Sequence, residues 1–305
     1  MSIVSIQNLT KTYGKVTALD EISVEIREGE LFGFIGPDGA GKTSLFRILT
    51  TLLKPDSGKA SVLGYDVVDD YRQIRPLLGY MPGRFSLYQD LSVRENMDFF
   101  ASVFGTTLEE NYDLVAPIYS QLEKFESRLA GALSGGMKQK LALSCALIHK
   151  PELLILDEPT TGVDAVSRQE FWEMLQHLKS QNITIIASTP YMDEAEQCDR
   201  VALIDEGHIL KIDTTDKVVA AFKKPLLAVK ADNRYRLLKK LRDYPHAHSV
   251  QPFGEYVHYT DQREQPQPEA LRQYLSETGF TNIEVKPVQP DIEDSFMALM
   301  QEEMV

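Results

Sequence analysis

The residues best equipped for chemistry lie at 36–43: Gly36, Pro37, Asp38, Gly39, Ala40, Gly41, Lys42 and Thr43. Their spacing, Gly, four residues, Gly-Lys-Thr, is that of a loop that cradles phosphate. Glycines permit positive φ and keep side chains away, so successive N–H groups turn inward onto phosphate oxygens. The positive end of a following helix adds to the field. Lys42 supplies a full charge for the outer phosphates, and the Thr43 hydroxyl is a hard ligand for Mg²⁺. The flanks agree. The apolar run 31–35 reads as a buried strand, and 44–49 reads as a helix. A Gly-rich turn that merely contains a lysine lacks that setting.

Further segments carry chemistry. Residues 153–156 and 183–186 are short, continuous apolar runs, read as central parallel strands. Asp157 and Glu158 stand at the C-terminal end of the first run, the edge at which open α/β sheets bind ligands. Asp157 is suited to Mg²⁺, directly or through water. Glu158 is suited to orient and polarise a water for in-line displacement at a terminal phosphate. After an isolated strand such a pair is usually a solvated strand end; the upstream phosphate loop and the Pro159-Thr160 that follows shift the balance. Ser134, Gly135 and Gly136 open a helix, with Ser134 as its cap, and form a second anion-binding end. Tyr13 offers a ring on which a purine stacks. Phe99, Phe100 and Phe104 read as core of a helical lobe, and His246 and His248 as solvated.

Positioning these residues takes an alternating pattern of elements. Strands are expected at 3–9, 22–26, 31–35, 60–63 and 78–81, and a helical region from 92 to about 149 with Met97, Phe99, Phe100 and Val103 as apolar positions. A hairpin at 201–204 and 208–212 turns at Glu206-Gly207. Composition shifts at Lys223-Lys224-Pro225. Beyond it the expected order is strand 226–230, helix 233–244, strands 248–253 and 256–259, helix 269–278, strand 283–287 and helix 292–302. The β-α-β-β-α-β order is that of a ferredoxin-like sandwich. Two domains are expected, 1–222 and 223–305. No internal repeat is visible, so one nucleotide domain is expected.

The chain has 305 residues and a formal net charge of −13, which points away from nucleic acid as a partner. Cys145 and Cys198 have no close-spaced partner, so zinc and disulfide frameworks are not indicated, and reduced thiols are the expectation. Residues 1–8 do not have the form of a signal peptide. No run approaches the roughly 18–20 apolar residues of a membrane helix, so action at a membrane requires a partner.

Together, and in this chain order, the motifs resemble the ATP-binding cassette (ABC) ATPase family over about residues 3–220. The resemblance implies an α/β, P-loop NTPase fold, an ABC-type cassette with a RecA-like core and a helical lobe at about 85–150, followed by the small α+β domain. It implies ATP and Mg²⁺ as ligands. Tyr13 stacks on adenine; Gly36 to Thr43 and Ser44 bind the phosphates and Mg²⁺; Asp157 is the metal carboxylate and Glu158 the catalytic base. Ser134, Gly135 and Gly136 become the signature that contacts ATP held by an opposite subunit, so a second cassette is implied, in a homodimer or a heterodimer. The wording at 133–140, 191–200 and 287–296 is similar to ATPases of ABC-2 type, multidrug exporters. That similarity implies a transmembrane permease subunit and a place at the cytoplasmic face of the cell membrane. The loop 84–91 is expected to dock the permease, with Leu87 and Tyr88 as apolar anchors.

Two positions depart from the family. Gly83 stands where a Gln near Mg²⁺ is usual, and Pro190 where a His toward the γ-phosphate is usual. Proline donates from neither side chain nor backbone. One lost polar contact costs a few kcal/mol, or ~10²–10³ in rate. Two rival readings therefore stand beside the exporter ATPase: a nucleotide-gated subunit with little turnover, and a soluble ABC ATPase without a transporter. The C-terminal domain carries no chemical constellation; dimer contact, regulation and docking remain open for it.

Overall fold

A computed structural model describes residues 2–303. The chain forms two compact units, Met1–Thr215 and Asp216–Val305. In chain order the first holds β1 (Ser2–Tyr13), β2 (Val16–Arg27), β3 (Leu31–Ile35), α1 (Lys42–Leu49), β4 (Ser57–Val62), β5 (Tyr65–Asp66), α2 (Tyr71–Ile74), β6 (Leu78–Met81), α3 (Val93–Val103), α4 (Tyr112–Tyr119), α5 (Gly135–Leu147), β7 (Leu153–Asp157), α6 (Ala165–Ser180), β8 (Thr184–Thr189), β9 (Arg200–Asp205) and β10 (His208–Asp213).

These strands build two sheets. One is antiparallel, in the order β2-β1-β4-β5. Its strands alternate apolar and polar, burying Val4, Ile6, Ile22, Val24 and Ile26. The other has the order β10-β9-β3-β8-β7-β6 and is parallel except for the β10 edge. Every residue of β3, β7 and β8 is buried, which accounts for the apolar runs 31–35, 153–156 and 185–187 within them. Leu45, Phe46, Ile48 and Leu49 of α1 join one apolar cluster with Val4 and Ile6 of the first sheet and Phe34 and Ile155 of the second. Phe46 meets Phe34 edge-on at 5.7 Å. The helix that begins at the phosphate loop is thus anchored to both sheets.

The expected helical region at 92–149 is divided into α3, α4 and α5, with 3-10 turns between α4 and α5. A capping box of Ser92 and Glu95 starts α3. Its buried stripe is Val93, Met97 and Ala101, spaced by four. Phe99 and Val103 fall off that stripe. Phe99 and Phe104 are each 38 % exposed, so neither is the core residue expected of it. Of the two expected docking anchors, Leu87 is 7 % exposed and Tyr88 47 % exposed. The sixteen-residue α6, unassigned from the pattern, is capped by Asp164 and buries Phe171, Trp172, Leu175 and Leu178.

A short helix, α7 (Thr215–Ala220), precedes the second unit's β11 (Leu226–Lys230), α8 (Arg234–Arg242), β12 (Ala247–Phe253), β13 (Tyr256–Asp261), α9 (Pro268–Glu277), β14 (Glu284–Val288) and α10 (Ile292–Glu303). Its sheet is wholly antiparallel in the order β12-β13-β11-β14. That is the ferredoxin-like arrangement the element order implies. Leu227, Val229, Val257 and Val285 share a core with Leu237 and Leu241 of α8 and Leu271 and Leu275 of α9. Asp294 of α10 meets His258 of β13 at 2.7 Å. Among the described residues no helix is long and apolar enough to cross a membrane.

Candidate nucleotide site

Parallel pairing brings the C-terminal ends of β3, β7 and β8 to one sheet edge. Ile35 lies across from Thr189, and Asp157 across from Ser188. The phosphate loop leaves β3 at that edge and turns tightly. A Cβ at Gly36 would stand 1.9 Å from the Ile204 carbonyl oxygen, and one at Gly41, where φ is +103°, 2.1 Å from the Ala18 oxygen. Only glycine fits either position. Gly41 caps α1 without a side-chain hydrogen bond, so the first-turn N–H groups of the helix have no side-chain cap to satisfy them.

Lys42 is 3 % exposed. Its Nζ donates to the carbonyls of Gly36 (2.7 Å) and Pro37 (2.8 Å) and lies 3.4 Å from Glu158 Oε1. The ammonium is held inside the loop, and loop and Glu158 are linked through it. Thr43 Oγ1 donates to Asp157 Oδ1 at 3.2 Å. Ser188 Oγ donates to the same oxygen at 2.8 Å and accepts the Glu158 N–H at 2.9 Å. Glu158 has φ of 49°, a left-handed conformation that costs a non-glycine residue roughly 1–3 kcal/mol. Ser188 and the Thr161 N–H, which donates to the Glu158 carbonyl at 3.2 Å, hold it there. Burial, and then the negative charge of Asp157, push the Tyr80 phenol up to about 12, so this neighbour stays neutral.

The other expected site residues fall in two places. Tyr13 ends β1, is 46 % exposed, and has its hydroxyl 3.3 Å from Ser44 Oγ, so its ring stands beside the start of α1. Asp38 and Gly39 are exposed at the loop's crest, and Pro37 and Ala40 flank them. The Ser134–Gly136 turn is not part of this gathering. Ser134 caps α5 through the Met137 N–H at 3.4 Å, and a Cβ on Gly136 would meet Ser167 at 2.7 Å. This turn therefore packs on the start of α6. Gly83 does adjoin the site: a Cβ there would lie 3.0 Å from the Asp157 carbonyl oxygen. Pro190 follows β8 directly, and beyond it the Tyr191 N–H donates to Thr189 Oγ1 at 3.0 Å.

The donor set fits the implied ligands. Thr43, Ser188 and Asp157 present hard oxygens suited to Mg²⁺, while the glycine loop and Lys42 suit phosphate. Ser188 had no assigned role in the sequence reading. Its signal is a hydroxyl in a buried strand, directly across from the carboxylate in register.

A second feature lies beside β6. A groove of about 160 Å³ is lined by Met81, Pro82, Phe85, Leu87, Phe100 and His149, among others. The His149 ring stacks on Phe104 at 3.7 Å, its Nδ1 is buried without a hydrogen-bond partner, and burial pushes its pKa down.

Comparison with known proteins gives a consistent picture. A family model described as "ABC transporter" matches residues 19–161. The "Probable multidrug ABC transporter ATP-binding protein YbhF" of Escherichia coli (strain K12) is 36 % identical over 308 residues, a match covering 98 % of this chain and 52 % of that protein. The chain thus spans about half the length of that relative. The "Nod factor export ATP-binding protein I" of Sinorhizobium fredii is 33 % identical, with 99 % of this chain and 87 % of that one covered. Among solved structures, a dimeric post-hydrolysis state of the ATP-binding cassette MJ0796 bound to ADP and Pi aligns with a TM-score of 0.63 at 25 % identity, covering 69 % of this chain and 98 % of that one.

Proposed function

The chain belongs to the family of ABC transporter ATP-binding proteins, and from that premise we propose that it is the ATP-hydrolysing subunit of an ABC-2 type membrane exporter. The observation that carries the chemistry is the constellation at one sheet edge: Lys42 inside its loop, Glu158 at 3.4 Å from it, and Asp157 gathering the hydroxyls of Thr43 and Ser188.

Residues 36–44 bind the triphosphate through backbone N–H groups, Lys42 and the hydroxyls, and Tyr13 stacks on the base. Thr43 and Asp157 would hold Mg²⁺, which would supply positive charge to offset that of the phosphates. Glu158 orients a water in line with the γ-phosphorus and accepts its proton. The bond to the β-phosphate oxygen breaks, leaving ADP and phosphate. Ser134, Gly135 and Gly136 complete the site of a second cassette, so ATP joins two copies or two related chains. The dimeric MJ0796 cassette supports that assembly. The apolar groove beside β6 and the exposed Tyr88 suit a permease segment, and the names of the export relatives favour that partner. In this reading the chain sits at the cytoplasmic face of the membrane through the permease.

A second reading is favoured by Gly83 and Pro190, which put no polar side chain where the family has Gln and His. In it, ATP joins the subunits while turnover is slow or supplied by a different cassette. Mg²⁺-dependent phosphate release by the full chain separates the two. The proposed function expects turnover that Glu158→Gln and Lys42→Ala each abolish. ATP binding with no turnover, alone or with the permease, leaves only the second reading standing.

A further inference from the structure

Glu194 sits in the short turn Met192–Gln197 after β8, its side chain 4 % exposed. Its carboxylate is fully engaged. Oε2 accepts from Thr160 Oγ1 at 3.1 Å and from Thr189 Oγ1, and Oε1 accepts from Arg168 Nε at 3.0 Å. The three donors come from three different parts of the fold. Thr160 is two residues beyond Glu158. Thr189 ends β8, next to the Ser188 that holds Asp157 and the Glu158 N–H. Arg168 belongs to α6; it also binds Asp193 at 3.1 Å and lies 4.1 Å over the Tyr191 ring, just past Pro190.

Removing a carboxylate from water costs several kcal/mol unless charge and hydrogen bonds offset it. Here they do, and they add direction. Apolar contact would hold the same segments together but would leave their relative rotation free. Three donors converging on two oxygens fix both the loop after β7 and the end of β8. Glu158 lies between those fixed points in a strained backbone conformation that its own residue type does not favour.

We propose that Glu194 is a positioning residue for Glu158. Through Thr160 and Thr189 it sets the rotation of the 158–161 turn, and so the aim of the Glu158 carboxylate at the attacking water. The proposal rests on the reading of Glu158 as the base.

The test uses Glu194→Gln in the full chain, which keeps the side-chain shape but turns an amide toward Arg168. Expected is a fall in kcat of roughly ten- to hundredfold, as for other groups that orient a reacting residue from behind, with the ATP Kd within about twofold. Independently of turnover, amide exchange across 158–164 should rise in the nucleotide-free protein while β3 keeps its protection. A kcat within about twofold of the unaltered chain, with unchanged exchange, overturns the proposal. So does a joint loss of kcat, ATP affinity and protection across the whole sheet, which marks a general brace. Should Glu194→Gln not fold, Thr160→Val decides: it removes one donor and leaves the Arg168 pair intact. Selective loss of kcat supports the proposal, and unchanged kcat overturns it. An unaltered chain without turnover, or one whose turnover survives Glu158→Gln, refutes the reading of Glu158 and the role of Glu194 with it. An active chain that Glu158→Gln silences and Glu194→Gln does not refutes the positioning role alone.

Discussion

Thr43 Oγ1 lies 3.2 Å from Asp157 Oδ1, and Ser188 donates to that same oxygen at 2.8 Å. Three residues from the start of α1, the end of β7 and β8 thus meet on one atom. The carboxylate is oriented without any ligand, which would lower the cost of ordering it around the cation proposed for it.

Ser188→Ala tests that orientation. The change deletes a donor to Asp157 and leaves the half-buried Glu158 N–H without its acceptor. The expected cost is about 1–3 kcal/mol of stability, with turnover down about tenfold or more. Thermal unfolding and steady-state hydrolysis on the same preparation check both. A variant with unaltered melting temperature and rate contradicts the arrangement.

Leu87 and Tyr88 are neighbours with opposite prospects. Leu87 is buried, so Leu87→Asp places an unpaired charge in the lobe and should cost about 3 kcal/mol or more. Tyr88 is exposed and edge-on to Phe99 at 4.8 Å, while Asn96 bonds its backbone on both sides. Tyr88→Asp should change stability by less than about 1 kcal/mol yet weaken co-purification with the proposed permease partner. Full co-purification of Tyr88→Asp removes Tyr88 from the docking surface.

In the second unit Asp261 accepts from the Arg263 N–H, both ends of its guanidinium, and the Tyr259 hydroxyl, all at 2.7–2.9 Å. Burial alone would raise its carboxyl pKa; the Arg263 and Tyr259 bonds outweigh burial and hold it at about 2. The unfolded chain therefore takes up the proton first. The stabilisation is complete above the ordinary carboxylate pKa of about 4, and is lost as pH falls from there through about 2. It amounts to about 2 kcal/mol. Amide exchange of β13 followed across that window should show protection falling in the unaltered chain. Asp261→Asn, lower at neutral pH, should show no such fall from this site. Parallel profiles for the two proteins would contradict the assignment.

The site was more legible than the lobe that accompanies it. Glycine spacing, apolar strands and their terminal acids are local signals, and β3, β7 and the loop between β3 and α1 stand where those signals put them. The hydroxyl of Ser188 and the carboxylate of Glu194 act through partners about 30 residues away, across strand register, and no local pattern announces that. In α3 Met97, Phe99, Phe100 and Val103 look equivalent by composition, but helical phase buries Met97 with Val93 and Ala101 and leaves Phe99 and Val103 exposed. α6 went unassigned because Ser167, Arg168, Gln169 and Glu170 crowd its first turns before the apolar stripe begins.

The strand order also bears on how the chain is made. Both edges of β3 are filled by strands far downstream, β8 and β9, and neither exists until residues 184–205 have been synthesised. The phosphate loop therefore emerges from the ribosome some 150 residues before the β3 strand that carries it can pair. Such distant pairing is slow and leaves apolar strand edges open to wrong partners meanwhile. Leu31 to Ile35, buried throughout in the finished molecule, is consequently a stretch in need of shelter during synthesis.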